Sequence, residues 1–218
     1  MTRNVSPTRP LERVGARETL EIAESDAELL IEECPGAWDR IAGGGWGAVP
    51  VIAVANSMGV RVFESDLHQT FSGARVERHS DGGGSIVVED RAHPVRLRGL
   101  IAYCLGVLVA AQYDSRSFPR IHHVFPKIRD SQECGCPEAQ AVGLQYAEAF
   151  QRALLMPRSM VVEWVLQHFE GARRDGSGVS VPAPWSEVAR SCFIPCAADF
   201  HVPSAVASRR LASFAVTC

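Results

Sequence analysis

Twelve consecutive residues, Leu100 to Ala111, carry no charge. No face of such a run is polar, so a helix built from it has to be enclosed by the rest of the chain. His93-Pro94 supplies a start signal and Asp114 a polar end, which predicts a buried central helix from about Val95 to Tyr113. Twelve residues fall short of the roughly 18–20 that a membrane span requires, so the expectation is a core helix and no membrane partner. With 46% of 218 residues apolar, there is enough material to surround it.

The surrounding elements can be read in order. Thr19–Glu33 has Leu20, Ala23, Ala27, Leu30 and Ile31 at helical spacing with acids between them. Val49–Met58 reads as a helix stopped by Gly59. Val60–Phe63, Gly73–Arg78 and Ser85–Glu89 read as three short strands, the last two joined by the turn Asp81-Gly-Gly-Gly84. That glycine run lacks a following Lys-Ser/Thr and is no phosphate loop. Residues 114–137 read as irregular, Glu138–Leu155 and Ser159–Gly171 as helices, and residues 173–184 as a loop. Trp164 and Phe169 fall on a core-facing stripe. Helices at about Trp185–Cys192 and Ser204–Phe214 close the chain. The expected fold is α+β: a three-stranded sheet, a buried central helix and a C-terminal helical bundle. The expected organisation is a loose arm over 1–18, a core over 19–157 and a helical region over 158–218 packed on it.

A net charge of −3 argues against bulk electrostatic binding of nucleic acid, and Arg209-Arg210 alone is a weak phosphate signal. Met1 to Glu12 is polar and has no apolar stretch of the secretory kind, so the expected compartment is the cytoplasm. An odd count of seven cysteines there reads as mostly reduced thiols. Cys134-Gly-Cys136 and the pair His122-His123 are the residues from which a structural zinc would be built, although the spacing is not that of a zinc ribbon. Otherwise the two histidines read as a surface or partner-facing loop, and Glu133, Glu138 and Glu148 as solvated charges.

Four segments in this order resemble the ImmA/IrrE family of zinc metallopeptidases. They are Val51-Ile-Ala-Val-Ala-Asn-Ser-Met-Gly-Val-Arg-Val62, then Ile86-Val-Val-Glu89 with Arg96-Leu-Arg-Gly-Leu-Ile-Ala102, then Ala147-x-x-Phe150 with Leu154-Leu-Met-Pro157, and finally Ala198-Asp-Phe-His-Val-Pro-Ser204 with Arg209-Arg-Leu211. The resemblance spans about Val49 to Phe214 and implies a zincin-like domain. It also implies a cytoplasmic protein partner such as a helix-turn-helix regulator.

The family's chemistry is absent. Where the active helix carries A-H-E-L-G-H, this chain reads Ala102-Tyr103-Cys104-Leu105-Gly106-Val107. H-E-x-x-H works because imidazoles at i and i+4 ligate one zinc while the Glu deprotonates its water. Tyr103 and Val107 replace the two histidines, Cys104 replaces the Glu, and Tyr146 replaces the third ligand. A catalytic zinc needs three protein ligands, so no metal and no cofactor is expected at these positions. The implied function is that of a pseudopeptidase, a protein-binding regulatory module without hydrolysis, whose old site has filled with apolar side chains. The alternative is a metal-independent enzyme or small-molecule binder rebuilt in that cleft around Cys104, Tyr103 and Tyr146. A third is a peptidase with ligands relocated to His93, His122, His123, Cys134 and Cys136.

Overall fold

The computed structural model describes residues 11, 15–34, 36–37, 48–67, 73–80, 83–113, 120–124, 138–175, 178–182 and 184–214. Along the chain run α1 (Ala16–Glu33), α2 (Val51–Ser57), β1 (Val60–Ser65), β2 (Ala74–Arg78), β3 (Gly84–Glu89) and α3 (Pro94–Tyr113). They are followed by β4 (Ile121–Val124), α4 (Glu138–Leu155), α5 (Arg158–His168), β5 (Arg173–Asp175), β6 (Gly178–Ser180), α6 (Trp185–Asp199) and α7 (Ser204–Ser213). The fold is α+β.

As its composition demands, α3 is the core. Ile101, Ala102, Cys104, Leu105 and every residue from Gly106 to Ala111 are buried. By length and composition α3 alone among the described helices could cross a bilayer, but 61% of its apolar window is enclosed. One wall is the sheet, which packs Val76, Ile86 and Val88 inward. The opposite wall is α4, and α1 lies on the far side of α4. The layers therefore run sheet, α3, α4, α1. Small residues make the close layers possible: α1 turns Thr19, Ala23, Ala27 and Ile31 inward.

Four helices, α2, α5, α6 and α7, start directly after a proline, at Pro50, Pro157, Pro184 and Pro203. A fixed φ and the missing N–H suit proline to helix entry, where donors have no intrahelical acceptor. Gly59 sits at φ +72° after α2, the left-handed turn expected of the residue that ends this helix.

The structure corrects the sequence reading in several places. The sheet has four strands, in the order β1-β3-β2-β4, with β1 parallel to β3 and the other pairs antiparallel. β4 was missed because Ile-His-His-Val lacks an apolar/polar alternation and borders prolines. Its partner is the free edge of β2. The segment read as a loop over 173–184 contains the hairpin β5–β6. The helix expected to stop at Cys192 continues through Pro195 to Asp199. The arm expected over 1–18 ends earlier, since α1 begins at Ala16 and Leu11 is buried. Leu20, assigned to the core stripe, is 37% exposed, and Thr19 takes the inward position.

The C-terminal helices share one apolar core with the rest of the chain. Buried Arg210 donates from Nε to the Met156 carbonyl (2.9 Å) and from Nη2 to Glu24 of α1 (2.6 Å). Phe214 stacks on Trp185 and faces the guanidinium groups of Arg158 and Arg210. Arg210 is thus a structural tie and does not present its charge to a phosphate. Arg209 is exposed beside Glu148.

Candidate functional site

α3 and α4 touch where Gly106 meets Ala147, the residues next in sequence to Val107 and Tyr146. A Cβ at Gly106 would lie 2.9 Å from both Cα and O of Ala147, closer than real side chains approach. The absence of a side chain there is what lets the two helices touch. Of the four positions that the resemblance marks, Cys104 and Tyr146 are fully buried and Val107 is 2% exposed, while Tyr103 is half-buried against the core.

The Tyr146 hydroxyl is already committed. It donates to Asp26 Oδ2 on α1 at 2.5 Å, and Tyr113 at the end of α3 donates to the same oxygen at 2.7 Å. One carboxylate thereby joins three helices. The rings of Tyr113 and Tyr146 lie 5.7 Å apart, and Phe150 stacks on Tyr146. Burial raises the Tyr146 hydroxyl well above its ordinary pKa, and Asp26 adds to the shift through its charge and its hydrogen bond. Tyr113 is raised by the same causes.

The sequence assigns no role to the acids of α1, which lie between its apolar positions. Three of them hold the helix down. Asp26 takes the two phenols, Glu24 takes Arg210, and Glu28 accepts the backbone N–H of Arg158 at 3.1 Å, where α5 begins with unmatched donors. The one hint in the sequence is position: Glu24, Asp26 and Glu28 flank the inward Ala23 and Ala27.

Burial likewise pushes the Cys104 thiol far above its ordinary range. A reactive cysteine needs a populated thiolate and access, and Cys104 has neither. Iodoacetamide at neutral pH is therefore expected to leave Cys104 unlabelled in the folded protein and to label it after unfolding. Cys104→Ala should cost roughly 1–2 kcal/mol through the small cavity it opens. Rapid labelling of Cys104 in peptide mass maps of the native protein would reverse this assignment.

Of the five relocated ligands only His93 and His122 have described side chains, and among the described residues no group of three His, Cys, Asp or Glu side chains is arranged to hold a metal ion. His93 Nδ1 accepts the Val95 N–H at 3.3 Å, so this ring caps the start of α3. His122 lies in β4 opposite Val76, on the α3 side of the sheet, which replaces the surface-loop expectation for this residue. The side chain of His123, with Cys134 and Cys136, lies outside the described residues, as do Glu133 and the side chain of Glu138. Glu148 is exposed and near Arg152 and Arg209. Trp164 is fully buried and donates to Asp199 at 2.7 Å, while Phe169 is only partly covered.

A shallow open concavity occurs instead beside α2, lined by residues 48–53, Asn56 and Arg98. Arg98 already donates to the carbonyls of Val49, Phe200 and His201, which ties α2 and the end of α6 to α3. It acts there as a clamp between elements.

No family model, curated protein or solved structure matches this chain.

Proposed function

We propose that this chain is a pseudopeptidase of ImmA/IrrE-like, zincin-like ancestry that works in the cytoplasm by binding another protein without cleaving it. The observation that carries the reading is the state of the marked positions. Cys104, Val107 and Tyr146 stand where that family keeps a general base and two ligands, and all three are sealed. The hydroxyl of Tyr146 is held by Asp26. Replacing a buried ion and its ligands with packed side chains is a change that a fold tolerates well. The order of elements around α3, and the close approach at Gly106, also support the ancestry. By resemblance, the partner is a helix-turn-helix regulator or another cytoplasmic protein. The rebuilt-enzyme reading has the buried thiol of Cys104 and the engaged hydroxyl of Tyr146 against it.

Metal analysis combined with native mass spectrometry of the purified full chain tests the proposal. The expected result is well under one equivalent of zinc after dialysis against a mild chelator, and native masses accounted for by protein chains alone, with no retained small molecule. No cleavage of a co-purifying protein is expected on prolonged incubation. Stoichiometric zinc, a retained small molecule or hydrolysis of the partner would each overturn it.

A further inference from the structure

The outer face of the four-stranded sheet carries a second, independent signal. The register puts Phe63, Val87 and Arg75 in one row across β1, β3 and β2, with Ile121 in the next row on β4. Alternation places all four away from α3, because Val76 and Ile86 are the residues packed inward. Phe63 is 46% exposed and Ile121 45%, so both edge strands present a large apolar side chain to solvent on the same face. Arg75 stands between them. Its Nε is buried without a hydrogen bond, and no ion pair to Arg75 occurs among the described residues. This Nε donor lacks an acceptor that a bound molecule would bring.

We infer that this face is the docking surface for an acidic, apolar segment of another protein, whose carboxylate pairs with Arg75 while its apolar side chains cover Phe63 and Ile121. The inference rests on the protein-binding reading above and gives it a surface and a chemistry. Arginine and aromatic anchors are enriched among binding hot spots. The charge is complementary as well. Arg61 lies over the Phe63 ring, and Arg120 approaches Glu77 at 3.8 Å, which leaves Arg75 to meet the incoming acid. Neighbouring strands are about 4.8 Å apart, so the anchors span roughly 14 Å, or about ten residues of helix.

Nucleic acid fits less well, because the exposed anchors Phe63 and Ile121 are apolar and the chain is net negative. A second copy fits less well for a geometric reason. The matching acidic surface of this chain is the outer side of α1, where Glu18, Glu21, Glu32 and Glu33 are exposed and Leu29 is 39% exposed. It lies at the opposite end of the layer order. Self-contact would be head to tail and open-ended, giving filaments unless it closes into a ring.

The test pans a displayed random dodecapeptide library against the full chain and measures the selected peptides by fluorescence anisotropy. Selected sequences are expected to place Asp or Glu beside Leu, Ile or Phe. Arg75→Glu should weaken them at least tenfold, and a Lys-for-acid version of the peptide should regain binding to Arg75→Glu. Phe63→Ser, at a half-exposed position, should also weaken them. Thermal melts of both variants separate lost binding from lost folding. Peptides that bind wild type and both variants alike would overturn this surface and leave the protein-binding reading standing, whereas no enrichment at all would remove both. A dT20 oligonucleotide that binds through Arg75 would replace the protein partner with nucleic acid. Concentration-dependent sedimentation abolished by Arg75→Glu would replace it with a second copy.

Discussion

Gly106→Val is expected to leave no cooperatively folded protein, and Gly106→Ala to lose about 1–3 kcal/mol in urea denaturation. The added methyl would meet the Cα and carbonyl oxygen of Ala147 at 2.9 Å and Phe150 Cδ1 at 3.1 Å. Two of those atoms are backbone, so relief requires α3 and α4 to separate along their whole interface. Helix propensity works the other way, since alanine is favoured over glycine by about 1 kcal/mol in a helix interior. Steric overlap wins here because the interior is already close-packed. Gly99, on the same helix, is the control. Its added methyl would meet Gln151 Nε2 at 3.6 Å and Pro203 Cγ at 3.7 Å, which is ordinary contact. Gly99→Ala should therefore be neutral or stabilising. If the two alanine variants unfold at the same urea concentration, the α3–α4 contact is not as tight as described.

The second large effect is expected at Asp26. Asp26→Ala removes the acceptor of two phenols at once, and each buried hydroxyl left without a partner costs about 1–3 kcal/mol. Tyr146 is sealed and bears the full penalty; Tyr113 is half-buried and regains water, so a total of about 2–4 kcal/mol is expected. Asp26→Asn keeps an oxygen acceptor and should be milder. The same network sets an alkaline limit. Tyr146 and Cys104 are neutral acids whose pKa values in the folded protein lie above their ordinary ones, in both cases chiefly through burial. Their contribution to stability is complete below the unfolded values, about 8.5 for Cys and about 10 for Tyr, and is lost as pH rises toward the folded values. Each group then lowers stability by about 1.4 kcal/mol per pH unit, because the unfolded chain has released a proton that the folded one retains. Tyr113 adds a smaller part because solvent reaches it. Denaturation between pH 8 and 11 should show the decline steepening past pH 10, and Tyr146→Phe should remove one group's share of the slope. An unchanged slope in that variant would count against the buried phenol.

The elements that were legible before the fold was known share one property: their signals are local. α4 was bounded at Glu138 and Leu155 because its apolar spacing is regular and Met156-Pro157 follows it. α2 was stopped by Gly59, and β3 announced itself by a run of β-branched residues. β4 and the β5–β6 hairpin were not legible, because a strand of three or four residues carries almost no periodicity and exists only where another strand offers an edge. The continuation of α6 through Pro195 was missed for a related reason: proline usually ends a helix, and packing of Cys196 and Ala197 against the core overrides that preference.

For the candidate site, residue types alone established that α3 had to be central and that no three zinc ligands stand at Tyr103, Cys104, Val107 and Tyr146. An uncharged helix has no choice of environment, and tyrosine, cysteine and valine cannot do the work of two histidines and a carboxylate. Only the tertiary structure decided what surrounds these positions. Whether Asp26 was solvated or buried depended on which face of α1 met α4, and that is a property of two surfaces brought together from opposite ends of the chain. The same holds for Arg75, Phe63 and Ile121, which are far apart in sequence and share a face only because β1, β3, β2 and β4 pair in that order.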